Sequence, residues 1–189
     1  MFAAIKFGGY WMLCVRPEPI ADYAFYFTRA IELGQGLGYR YQGHPTAFYP
    51  VGTSLLLAGP LKWFGPTLEV ALVLSLVAWG ISVVMTYKLA ELLSDARVAK
   101  VAALLVAIHP DFIAFSSLVA SENFFIPLML ASLYLLCRSV LSVQPRWGSV
   151  ATAGALFGAA LLVRSTGLIL LPVLSLLLVW AGRRRWLAG

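Results

Sequence analysis

The sequence contains little charge, which excludes an ordinary soluble protein. Only 12% of its 189 residues are charged, against about 25% in soluble globular domains. With 61% of the residues hydrophobic, too few polar side chains remain to cover a fold in water. A mean hydropathy of +0.86 agrees with this. The composition therefore indicates an integral membrane protein.

Cysteine and histidine are also scarce. Cys14 and Cys137 each lie in an apolar run, and the two histidines, His44 and His109, are far apart. No disulfide framework or metal site has this spacing, so we predict no metal ion and no cofactor. The formal charge of +6 comes from basic residues scattered between apolar runs. These look like topology signals, so we expect no nucleic-acid partner.

Apolar runs dominate the chain and predict an all-α fold, a polytopic transmembrane helical bundle of about six spans. The predicted spans are residues 2–15, 68–93, 96–109, 122–140, 148–163 and 167–182. The first is short for a hydrocarbon core of about 30 Å. It is either a span or a signal peptide, and the lack of a small-x-small cleavage site favours a span.

A polar region, residues 16–66, separates the first two predicted spans. Within it, Asp22 opens a helical pattern that ends at Gly34, and the apolar segment 51–64 is too short to cross a membrane. We predict short amphipathic helices at the membrane surface. Basic residues concentrate in the turns after the second, fourth and sixth spans, which places those turns in the cytoplasm. The polar region is then a large first extracytoplasmic loop.

Three polar stretches occur along the chain in a recognisable order. The first runs from Asp22 through the glycine-rich turn 33–39 to PTAFYPVG at 45–52. The others are SENFFIPL at 121–128 and LVRSTGL at 162–168. In this order and spacing they resemble family 39 glycosyltransferases of the GT-C superfamily, which include protein O-mannosyltransferases and aminoarabinose transferases.

The resemblance implies a membrane enzyme that transfers a sugar from a polyprenyl-phosphate donor. The acceptor would be a hydroxyl of a lipid, a glycan or a protein at the extracytoplasmic face, and we expect inversion at the anomeric carbon. We also expect a multi-pass protein of the plasma membrane, specifically a bacterial inner membrane. Because members of the family are usually longer, we predict that residues 1–189 form a single membrane domain, the N-terminal part of a longer one.

Asp22 is the catalytic residue that the resemblance implies. It occupies the position of an acid in the first outer loop of the family, where it would act as general base on the acceptor hydroxyl. Tyr23 follows, where many relatives carry a second acid. From spacing alone, the alternative is an N-cap that accepts hydrogen bonds from the first amides of the helix.

Glu122 is predicted to bind substrate. It opens a predicted span on the outer side. It either stabilises the N-terminus of that helix, with Ser121 as the cap, or faces Asp22 across a cleft.

Arg164 lies between two apolar runs. It is either an interface anchor or a clamp for the phosphate of the departing lipid carrier. Arg29 and Arg40 are similar candidates for substrate binding. His44 is either an ordinary loop residue or a further substrate ligand.

Two other functions remain open at this stage. A transporter or lipid-binding protein without chemistry would show ionisable residues inside its spans or paired broken helices, whereas the charges here concentrate at span ends. An inactive fragment is the remaining alternative.

Overall fold

The computed structural model of the protein describes residues 22–142, 146–172 and 174–176. Over these ranges the chain is mainly helical, which confirms the predicted all-α class. The helices are α1 Asp22–Gly34, α2 Gly52–Phe64, α3 Leu68–Leu93, α4 Ala96–Ile108, α5 Pro110–Ser116, α6 Ser121–Leu141 and α7 Trp147–Val163, followed by a 3-10 helix, Ser165–Leu170. A short hairpin pairs β1, Arg40–Tyr41, with β2, His44–Pro45.

Two of the described helices are long and apolar enough to cross a membrane, namely α3 with 26 residues and α6 with 21. They confirm the helices predicted at 68–93 and 122–140. Helices α4 and α5 would together make a third span, but the chain bends by 57° between them. Helix α7 is apolar and shorter. About six spans stays a prediction, because residues 2–15 and the end of the last predicted span lie outside the described residues.

The bend between α4 and α5 lies at His109, directly before Pro110. The residue before a proline is driven away from helical geometry, and His109 has an extended backbone with ψ of 126°. Its Nδ1 accepts a hydrogen bond from the amide of Asp111 at 3.3 Å and so caps α5. The sequence predicted the end of α4 here, but not the second short helix.

Helices α1 and α2 pack against each other beside the bundle. Helix α1 ends at the predicted Gly34, and α2 spans 13 residues, or about 20 Å, too short to cross a membrane. Ala30 of α1 is fully buried in the same cluster as Leu57 of α2. The Ser54 hydroxyl also donates to the carbonyl of Tyr26 at 3.0 Å. These contacts hold the first loop as a packed unit.

The start of α2 lies directly against the end of α7. A Cβ atom at Gly52 would lie 2.5 Å from the main-chain carbon of Leu162 and 2.5 Å from the nitrogen of Val163. Real Cβ contacts are not this short, so the approach requires glycine. It brings the loop that carries Tyr49 next to Arg164, which follows α7.

Helices α6 and α7 are antiparallel neighbours in the bundle. Met129, Phe157 and Ala160 form a buried cluster between them. The Ser132 hydroxyl donates to the carbonyl of Ala153 at 2.8 Å, a bond between helices of the kind found in membrane proteins. As a result, the first residues of α6 and the last residues of α7 meet at one end of the bundle, beside α1.

Candidate active site

One polar cavity collects side chains from four separate parts of the chain. It has a volume of about 230 Å³. It lies where the start of α1, the loop before α2, the start of α6 and the end of α7 meet. The lining residues that bear chemistry are Asp22, Tyr26, Tyr49, Ser121, Glu122 and Arg164. The polar cavity thus unites three of the predicted site residues, Asp22, Glu122 and Arg164.

The Asp22 carboxylate is held by a tyrosine rather than by the helix that it begins. The hydroxyl of Tyr49 donates to Asp22 Oδ1. Among the described residues, no main-chain amide donates to this carboxylate, so the predicted N-cap bond is not formed by them. Its second oxygen, Oδ2, likewise has no hydrogen bond within the described ranges, which leaves it available to a substrate hydroxyl.

Tyr49 is a site residue that the sequence reasoning missed. Its main chain is anchored by the hydroxyl of Tyr39, which lies 3.2 Å from the Tyr49 carbonyl and 3.4 Å from that of Pro50. The hydrogen bond to Asp22 raises the pKa of Tyr49 to about 12, so its hydroxyl stays protonated at physiological pH. The only local indication that Tyr49 belongs to the site was its position in the PTAFYPVG stretch.

Arg164 and Glu122 form an ion pair across the cavity. The guanidinium also lies 3.4 Å from the hydroxyl oxygen of Ser121 and 3.2 Å from that of Thr166. Ser121 in turn donates to Glu122 at 3.1 Å. It does not cap α6, whose N-cap residue is Ala120 with no side-chain cap bond. The Arg164 side chain is therefore fixed in orientation by several partners.

The charges in the polar cavity do not cancel. With Asp22 and Glu122 ionised and Arg164 protonated, the three groups sum to −1. Nη2 of Arg164 has no hydrogen bond to the part of the chain that the structure describes, so it can still donate to an oxyanion. Glu122 would compete with that oxyanion for the guanidinium.

Two further tyrosines border the polar cavity and stay neutral. Burial raises the pKa of Tyr23 and of Tyr26, and the carboxylates of Asp22 and Glu122 raise both further. Because both phenols stay protonated near neutral pH, neither can act as a base there. The described residues contain no group of three or more histidine, cysteine or acidic side chains that could hold a metal ion. The expected absence of a metal stays a prediction.

A second cavity also has Asp22 in its lining. We call it the aromatic pocket, and its volume is about 630 Å³. Its lining includes Asp22, Phe25, Arg29, Tyr41, Phe48 and Tyr49. The ring of Phe25 packs 5.0 Å from Tyr49 and 5.7 Å from Tyr41, measured between centroids. Asp22 and Tyr49 form a wall shared with the polar cavity.

The other three predicted site residues do not line the polar cavity. Arg29 lines the aromatic pocket, where it pairs with Glu32 at 2.7 Å and donates to the Arg40 carbonyl. Arg40 and His44 are exposed on the hairpin and line neither cavity. A role in substrate binding for these three residues stays a prediction.

Comparison with known proteins identifies one family. The family model described as dolichyl-phosphate-mannose-protein mannosyltransferase matches residues 48–189, three quarters of the chain. The match includes Tyr49, Glu122 and Arg164, and it begins after Asp22 and Arg29. No curated protein and no solved structure matches the chain.

Proposed function

Because the chain belongs to the dolichyl-phosphate-mannose-protein mannosyltransferase family, we propose that its polar cavity is the reaction site of a lipid-donor glycosyltransferase. The general class, a membrane glycosyltransferase of the GT-C type, follows from the family. The donor, the acceptor and the stereochemistry are our proposal. The observation that carries it is the meeting of Asp22, Glu122 and Arg164 in one cavity.

Asp22 is proposed as the general base. The Tyr49 hydroxyl occupies Oδ1, which orients the carboxylate and leaves Oδ2 for the hydroxyl of an acceptor. The acceptor proton passes to Asp22 as the acceptor oxygen forms a bond to the anomeric carbon of the donor sugar. Attack from the face opposite the leaving group inverts that carbon.

Arg164 is proposed to stabilise the leaving group. The bond from the anomeric carbon to the phosphate oxygen breaks, and its electron pair remains on the polyprenyl phosphate. The negative charge that develops there suits a planar guanidinium. Glu122, Ser121 and Thr166 hold Arg164, so little reorganisation is needed when this charge appears. Glu122 is thereby a positioning residue for Arg164.

The remaining parts of the proposal concern the cellular setting. We propose that the cavity opens at the extracytoplasmic face of a bacterial inner membrane and that the chain is multi-pass. We also propose that residues 1–189 belong to one membrane domain of a longer protein. We further propose that the protein is a family 39 glycosyltransferase, related to the aminoarabinose transferases. The apolar helices α3 and α6 support a membrane location.

The test is replacement of Asp22 by asparagine in the full-length protein. Asparagine keeps the size of the side chain and can still bond to Tyr49, but it cannot accept a proton. We expect transfer from a polyprenyl-phosphate sugar to fall by about 10²- to 10⁴-fold, the contribution typical of a general base. Product formation from radiolabelled donor in nanodiscs measures this directly.

The matched control is Asp111→Asn, which removes an exposed acid that lies outside the polar cavity. It should transfer sugar at the rate of the unmodified protein. Transfer by Asp22→Asn at that same rate, with equal amounts of folded protein, would exclude Asp22 as the base.

A further inference from the structure

We propose that the aromatic pocket binds the acceptor and that this acceptor presents a carbohydrate ring. This inference rests on the proposed function, because it takes Asp22 as the base. It goes further in assigning the second cavity and in naming the chemical class of its ligand. Phe48 and Tyr41 are then specificity-determining residues.

Asp22 lines two cavities. Its carboxylate lines both the polar cavity and the aromatic pocket. In a displacement reaction the base must touch the attacking hydroxyl, while the leaving phosphate departs from the opposite side of the anomeric carbon. With Arg164 on the polar side, the attacking hydroxyl is expected on the aromatic side of the carboxylate.

The two cavities differ in size. The polar cavity, at about 230 Å³, holds the charged groups, whereas the aromatic pocket is larger, at about 630 Å³. Ligand pockets for small organic molecules are typically about 300–1,000 Å³. The aromatic pocket thus has room for a sugar ring together with the group attached to it.

The wall of the aromatic pocket has both apolar and polar groups. A pyranose ring has an apolar face of C–H groups and a rim of hydroxyls. Tyr41 and Phe48 have exposed aromatic rings on which the apolar face of the sugar can pack. Thr28 and Arg29 line the same pocket and have polar groups for the sugar hydroxyls. A serine side chain of a peptide could donate to the carboxylate of Asp22, but it is too small to contact as many of the aromatic and polar groups of the pocket as a sugar ring.

The pocket wall is also held in place, as a binding site requires. Arg29 of α1 donates to the carbonyl of Arg40 and so ties the helix to the hairpin. The Gln42–Gly43 turn of that hairpin has positive φ at both residues, 51° and 83°, as expected for a tight two-residue hairpin. Tyr41 therefore projects from a short, hydrogen-bonded element rather than from a long loop.

The test measures sugar binding without any transfer reaction. Saturation-transfer NMR on the full-length protein in nanodiscs would use methyl α-D-mannopyranoside and methyl β-D-glucopyranoside as probes, with a threonine-containing peptide in parallel. Phe48→Ala and Tyr41→Ala should each weaken glycoside binding by about fivefold, the loss expected for one aromatic contact. Phe64→Ala is the matched control, because Phe64 and Phe48 are both 76% exposed and Phe64 lies outside the aromatic pocket.

The outcomes separate this inference from the proposed function. No glycoside binding, or binding that Phe48→Ala and Phe64→Ala leave equally strong, overturns the carbohydrate assignment. If the peptide binds in a Phe48-dependent way and the glycosides do not bind, the acceptor is a protein and the carbohydrate assignment is wrong. None of these results depends on donor or on proton transfer, so the Asp22→Asn assay succeeds or fails independently of them.

Discussion

Replacing Gly52 by alanine should separate α2 from α7. The new Cβ would lie 2.5 Å from the main chain of Leu162 and Val163, whereas carbon atoms pack at about 3.5–4.0 Å. The two helices must therefore move apart by roughly 1 Å, because no flexible side chain can turn aside to make room. Such overpacking costs about 1–3 kcal/mol. A helix-propensity gain of at most about 1 kcal/mol offsets part of it.

Helix α2 contains its own control. An added Cβ at Gly59 would meet no atom within 4 Å beyond its chain neighbours and the backbone of its own helix. Gly59→Ala should therefore press on no other helix, and Pro60, which follows it, offsets part of the gain in helix propensity. Thermal unfolding of both variants in detergent, followed by intrinsic tryptophan fluorescence, gives the comparison. We expect Gly52→Ala to unfold several degrees below the unmodified protein, and Gly59→Ala close to it.

The same displacement should also affect the site. The loop before α2 carries Tyr49, and the residue after α7 is Arg164, so parting the helices widens the polar cavity between them. Transfer activity should fall in Gly52→Ala even at temperatures where the variant is folded. If Gly52→Ala and Gly59→Ala unfold at one temperature and are equally active, the close helix contact is refuted.

Two further predictions concern side-chain hydrogen bonds. Because the folded-state pKa of Tyr49 is raised to about 12 from 10.0, its stabilising bond to Asp22 should be fully present below pH 10 and lost as pH rises through 12. Ultraviolet titration should show that the phenol lost in Tyr49→Phe is one that ionises near pH 12 in the unmodified protein. Loss of a phenol that ionises near pH 10 would contradict the prediction. Asn123→Ala should cost about 1–3 kcal/mol of unfolding free energy, because Asn123 Nδ2 donates to the carbonyls of Phe115 and Leu118 at 2.8 and 2.9 Å. Unchanged denaturant unfolding would show that water replaces these bonds without loss.

Local patterns were enough to predict several helices. The predicted end at Gly34 agrees with α1, and the predicted span 68–93 agrees with α3. Each is signalled by a long apolar run or by helical periodicity closed by a glycine. The short helix α5 was missed because seven residues carry too little periodicity, and because a proline usually marks only an ending.

The candidate site was predicted in part. The predicted topology placed Asp22, Glu122 and Arg164 on one outer face, and the structure brings them into one cavity. Arg40 and His44, two of the predicted substrate-binding residues, lie on the exposed hairpin and outside the cavity lining.

Composition and hydrophobic pattern by themselves determined that this protein belongs in a membrane and where its long helices run. These properties depend on side-chain type and on neighbours within a few residues. Only the tertiary structure decided that Tyr49 holds Asp22 and that Glu122 holds Arg164. The first partners are 27 positions apart in the chain, and the second meet only because α6 and α7 are antiparallel. Contacts at such separations are set by how helices pack, and a single glycine at position 52 allows the close approach on which this packing depends.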